Sequence, residues 1–142
     1  MTDRSKEPTM HTFQTPGPAR LRVEIPKGRV HVTAADIAET TIELKARPGD
    51  AAGQAMVDEA EIAQHGDEIV VIVKKRLGLF GWGPGVEATV RAPVGTAAIL
   101  ATGSGAIETD GRLGDLKATS GSGAIRIADG GEVSAHTGSG DI

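Results

Sequence analysis

Three serines stand between glycines, in Gly-Ser-Gly triplets at 103–105, 121–123 and 138–140. A hydroxyl on glycine-flanked backbone is one requirement of a nucleophile. None of Ser104, Ser122 and Ser139, however, has the Gly-x-Ser-x-Gly surroundings that hold such a serine on a strained turn. Their repetition points to geometry, with the hydroxyls hydrogen-bonding turn backbone. The glycine clusters suggest a phosphate cradle, but neither a Gly-x-x-x-x-Gly-Lys-[Ser/Thr] loop nor a Gly-x-Gly-x-x-Gly turn opening a helix is present.

The other groups able to do acid–base or metal chemistry are scattered. His11, His31, His65 and His136 lack ligand spacing and read as solvent-facing strand or turn residues. "IADGGE" and "GSGD" look like pieces of a calcium-binding nonapeptide repeat, yet such repeats carry an Asp in every copy, and here Ala106 and Ala124 stand where only the last copy has Asp141. Sugar cleavage on a β-helix face needs paired carboxylates. Glu108, Asp110 and Asp115 are replaced at equivalent positions by Arg126, Ala128 and Glu132, so no acidic row is built and a carbohydrate-active β-helix enzyme is disfavoured. The chain reads as non-catalytic, with no cofactor or metal implied.

One oddity of composition remains, the glycine-rich link at 74–85. It places Leu79, Phe80 and Trp82, with Leu77, beside Lys74, Lys75 and Arg76. Exposed, this loop is a contact element that wedges into a membrane interface or anchors a partner. Buried, it is a lid on the first layer of the core, the reading favoured in a chain whose only aromatics are Phe13, Phe80 and Trp82.

The elements that must position these residues are β-strands. With 142 residues, 39% apolar and 24% charged, the chain suits one domain, and its aromatic share of 2% leaves Val, Ile, Leu, Ala and Thr to fill thin β-layers. The net charge of -4 comes from interspersed acids and bases, so there is no basic face for phosphates, and nucleic-acid binding is disfavoured. The absence of cysteine excludes disulfides and thiolate sites without fixing the compartment. No apolar run is long enough for a signal-peptide core or a membrane-spanning helix, which points to a cytoplasmic protein or one peripheral to the membrane.

Residues 1–11 read as a flexible leader and 12–142 as a single domain. Within it, 12–97 holds N-terminal strands and a cap, and 98–142 is a tandem repeat. Alternation at 21–25 and 30–32 around a Pro-Lys-Gly turn reads as a strand pair, and 41–45 as a third strand. The stretch 47–60 fits a short helix or an irregular crossover, with Gly53 weakening the helix. Strands at 61–64 and 69–74 flank "HGDE" as a hairpin whose second strand, "IVVIV", is apolar on both faces and so reads as buried. Alternation returns at 86–93.

The triplets repeat at spacings of 18 and 17 residues. Ala98, Leu116 and Val133 precede them at one offset, Leu100, Ala118 and Ala135 at another, and Ile107, Ile125 and Ile142 follow at a third as an inner ladder. "GRVHV" at 28–32 shares the form. Equal offsets at a fixed period mark stacked units that cover one another's apolar sides. The expected fold is all-β, a short single-stranded β-solenoid, right-handed and β-helix-like, with N-terminal capping strands; the competitor is an antiparallel meander in which Gly-Ser-Gly is a hairpin turn.

"LFGWGPGVEATVRAPVG" leading into the repeats resembles a bacterial β-strand-repeat family of unknown function labelled "putative adhesin" and related to toast-rack domains. The resemblance covers 13–142, with the reiterated Ser-Gly-x-Ile unit and the strand end at 90–95 as its most specific parts. It implies an all-β solenoid-like domain, often associated with cell-envelope stress or surface proteins, without established catalytic residues. Such proteins usually run through more repeats, which makes this chain look truncated. The functional expectation is a non-catalytic structural or interaction module, an adhesin-like or cell-envelope-associated scaffold with a protein or envelope partner. The alternative is a scaffold that self-assembles as a homo-oligomer through its open C-terminal layer.

Overall fold

The computed structural model describes residues 9–47, 49–74 and 85–142. They form twelve strands and one helix. In chain order these are β1 (Thr9–Gln14), β2 (Arg20–Lys27), β3 (Val30–Ala35), β4 (Glu39–Ala46), α1 (Ala51–Asp58), β5 (Glu61–His65), β6 (Glu68–Ile72), β7 (Val86–Pro93), β8 (Ala97–Ser104), β9 (Ile107–Arg112), β10 (Leu116–Ser120), β11 (Ile125–Asp129) and β12 (Val133–Thr137).

The strands make two mixed six-stranded sheets, the first ordered β1-β4-β7-β3-β9-β11 and the second β12-β10-β8-β2-β6-β5. Neither closes on itself. Successive strands of the repeat fall in opposite sheets, so the Gly-Ser-Gly triplets at 103–105 and 121–123 carry the chain from one sheet to the other. Like then lies beside like. Ala98 pairs with Leu116 and Leu116 with Val133 in one sheet, and Ile107 pairs with Ile125 in the other, all in parallel. Parallel pairing of the repeat rules out the hairpin meander.

The N-terminal strands follow the same scheme. β2 and β3 do not pair with each other as the alternation suggests, because the Pro26-Lys27-Gly28 turn sends them into different sheets. The sequence places capping strands before the repeat; β2 and β3 are instead interior, β2 between β6 and β8 and β3 between β7 and β9, and the edges at that end are β1 and β5. Val30 is in register with Ile107, which makes "GRVHV" an earlier layer of the same pattern.

Inward faces of both sheets supply one apolar cluster, including Val23, Val30, Leu44, Ile69, Leu100, Ile107 and Ile125. Each such aliphatic side chain contributes roughly 1.5–3 kcal/mol when fully buried. Ile142, expected in the inner ladder, is 69% exposed, because no described strand of the first sheet lies beyond β11 to cover it. In β6 only alternate residues are fully buried, so "IVVIV" has one core face and one half-buried face. Between β4 and β5 the chain forms α1, where Asp50 Oδ1 accepts the Gly53 amide at 2.8 Å and Met56 and Val57 enter the core. Gly53 favours this cap, since a Cβ there would lie 2.7 Å from Asp50 Oδ2.

Candidate interaction surface

The Gly-Ser-Gly corner is built by backbone. Gly28 N–H donates to Ser104 O, Gly105 N–H to Ser122 O and Gly123 N–H to Ser139 O, at 2.9, 2.7 and 2.8 Å. The serines thus act through their carbonyls, while their side chains are exposed and make no hydrogen bond among the described residues. The hydroxyls that do bind backbone belong to the preceding position. Ser120 Oγ donates to Gly105 O and Thr137 Oγ1 to Gly123 O, each at 2.9 Å, and Thr102 Oγ1 reaches Ser104 O at 3.2 Å. That row went unnoticed in the sequence although its signal, a hydroxyl before every triplet, is present.

The other candidate groups do not converge. His11 is half-buried on β1 with its ring stacked on Phe13, centroids 6.5 Å apart, rather than facing solvent. His31 lies on the outer face of the first sheet with Nε2 2.6 Å from Asp110 Oδ2, while His65 and His136 are exposed on β5 and β12. Arg126 sits opposite Glu108, and Asp115 Oδ1 accepts the Glu132 amide at 3.0 Å. Among the described residues no three His, Asp or Glu side chains are grouped to hold a metal. Leu79, Phe80 and Trp82 lie outside the described residues.

What the fold does assemble is two outer faces of opposite character. On the first sheet, registers align Glu43, Thr89, His31, Glu108 and Arg126 in one polar row. On the second, the corresponding row is Val70, Arg22, Ile99, Lys117 and Ser134. Ile99 is 48% exposed at its centre. A depression of about 430 Å³ runs across the strands of this face over Ala97 and Ile99, and its rim mixes the bases Arg20, Arg22 and Lys117 with the acids Glu68, Asp115 and Glu132. Arg22 Nε meets Glu24 Oε2 at 3.1 Å and Arg20 meets Asp67 Oδ1 at 3.2 Å. These pairs are exposed and hold their side chains only weakly. Among the described residues Lys117 has no ion-pair partner.

No family model matches the chain, and no curated protein is similar to it in sequence. Solved structures are similar in shape. A "putative cell adhesion protein" from Clostridium sporogenes aligns over 96% of this chain and 98% of its own at 10% identity, with a TM-score of 0.53. A "putative adhesin" from Bacteroides fragilis aligns over 96% and 98% at 7% identity and a TM-score of 0.39. In a "putative adhesin" from Parabacteroides distasonis, this chain spans only 56% of the neighbour's length, at 9% identity and a TM-score of 0.41. At 10% identity the likeness to the Clostridium sporogenes protein is one of fold alone, and it agrees with the resemblance read from the repeats. No helix among the described residues is long and apolar enough to cross a membrane.

Proposed function

We propose that this chain is a non-catalytic, adhesin-like interaction module, built as a short β-solenoid and serving as a cell-envelope-associated scaffold that presents its sheet faces to a partner. The supporting observation is the shared parallel register of the repeat in both sheets, which lays successive layers directly on one another and leaves broad outer faces. In such a stack the side chains that vary between layers point outward, where they specify contacts rather than fold. The test is co-sedimentation of the purified chain with isolated bacterial envelope fragments. Saturable recovery in the pellet is expected, and complete recovery in the supernatant over a concentration series overturns the reading. Leu79, Phe80 and Trp82 are the proposed loop contact; Trp82→Ala lowers recovery on anionic vesicles if that loop carries membrane contact, and leaves it unchanged otherwise.

A second reading, self-association through the last layer, has its own support. β12 is an edge strand carrying neither Lys nor Pro, and Val133 at its start is 43% exposed. Edges without such blunting residues are templates for another chain. Light scattering showing mass growth with concentration favours it, and a strict monomer removes it.

A further inference from the structure

We propose that β12 is a homodimerisation edge, at which two copies of this chain pair antiparallel about a twofold axis centred on Ala135 and join their second sheets into one. This rests on the self-association reading and deepens it by fixing the strand, the symmetry and the halt at two copies.

Backbone selects the strand. Leu116 N–H donates to Glu132 O at 2.9 Å and Gly138 N–H to Ser120 O at 3.0 Å, while Leu116 and Ser120 are in register with Val133 and Thr137. Bonding direction alternates along a strand, so Glu132, Ser134, His136 and Gly138 face β10, and the N–H and C=O of Val133, Ala135 and Thr137 point off the sheet. The first sheet is blunted at the same end. Asp141 O accepts the Ile125 amide at 2.9 Å, and the register of β11 shifts between Ile127 and Asp129, an irregularity that interrupts strand addition.

Symmetry selects the partner. Opposite residues of an antiparallel pair exchange both backbone bonds at every second position. With the axis at Ala135, Ala135 meets its own counterpart and Val133 meets Thr137 of the second copy, so each outward group on one copy finds its complement on the other. On the outer face Ser134 comes opposite His136, and no like charges meet. On the inner side the last layer leaves a depression of about 600 Å³ lined by Ile127, Val133, Ala135 and Ile142, with Val133 43% and Ile142 69% exposed. The last layer of the second copy covers it with the same apolar residues. This complementarity of β12 to itself favours a second copy over an unrelated strand.

The far end of the stack is finished differently. There Gln64 Nε2 on β5 donates to Gln14 O on β1 at 3.0 Å, Phe13 and Ile62 pack against the core, and β5 opens on the exposed Glu61, a charge that deters strand addition. Unlike ends joined through a self-complementary edge give a closed pair, whereas ends that matched each other would give a filament.

The test is light scattering of the purified chain over a concentration series, beside single-cysteine variants of this cysteine-free sequence. Mass is expected to rise to twice that of the monomer and stop. Bonded opposite residues have Cα atoms about 5.5 Å apart, within the reach of a disulfide, so Ala135→Cys is expected to form a covalent dimer on mild oxidation while Ala63→Cys on β5 stays reduced at the same concentration. Val133→Lys, at an exposed position, is expected to keep the β-sheet circular dichroism and raise the dimer dissociation constant at least about tenfold by charging the edge. A strict monomer overturns the dimer and the self-association reading together. Growth beyond two copies, a dimer indifferent to Val133→Lys, a dimer in which Ala135→Cys stays reduced, or equal cross-linking of both cysteine variants overturns the β12 edge and leaves self-association standing.

Discussion

Each layer of the stack turns at two corners, and the corners follow different rules. At the Gly-Ser-Gly corner one layer's backbone rests on the next. A Cβ on Gly105 would fall 1.8 Å from Gly28 O and one on Gly123 2.2 Å from Gly105 O, and both residues have φ near +140°, at 141° and 139°. At the opposite corner "GRLGD" at 111–115 answers to "DGGE" at 129–132, with Leu113 buried and Asp115 bonding the next layer through its side chain. Contact there is closest at Gly111, where an added Cβ would fall 2.1 Å from Ala34 O, with Gly114 next at 2.5 Å from Gly95 O. Backbones touch at both corners, and the difference is that the triplet repeats the same backbone bond in every layer, whereas the other corner mixes backbone bonds with a side-chain bond and its residues vary from layer to layer.

That contrast can be broken at several strengths. Gly123→Val places a branched side chain against Gly105 O and strains a left-handed backbone, and should cost more than about 3 kcal/mol in urea unfolding. Ile107→Ala, in the fully buried ladder, should cost about 2–5 kcal/mol by thermal melting, against no more than about 0.5 kcal/mol for Ile142→Ala at the exposed position. Ser120→Ala removes the donor to Gly105 O and should cost about 1 kcal/mol, and Asp115→Ala at the other corner should cost no more, by chemical denaturation of both variants side by side. Ser122→Ala should shift the unfolding midpoint by less than about 0.5 kcal/mol in free-energy terms, because only its carbonyl is used. A large loss there would return a role to the triplet hydroxyls.

The sequence carried the stacking in plain view, because the offsets of Ala98, Leu116 and Val133 are set by the same lateral pairing that the sheets display. It carried the hidden earlier layer too, since Val30 after Gly28 repeats Ile107 after Gly105. It was silent on which sheet receives each strand. A turn such as Pro26-Lys27-Gly28 reads alike whether it folds a hairpin or crosses between sheets, and local alternation carries no information about the partner. The mixed row on the outer face of the second sheet was illegible for a related reason. Arg22, Ile99 and Lys117 are far apart in the chain and meet only through the β2-β8-β10 order, which depends on long-range pairing rather than on any motif.

Parallel register of the repeat is the central claim, and the lack of cysteine makes it directly measurable. Ile99 and Lys117 lie opposite each other on adjacent parallel strands, within the reach of a disulfide. The variant carrying Ile99→Cys with Lys117→Cys should therefore close an intramolecular disulfide on mild oxidation as a folded monomer. If that pair stays reduced while Ile99→Cys with Thr109→Cys closes instead, Gly-Ser-Gly is a hairpin turn, and the stack and its glycine corner are both contradicted.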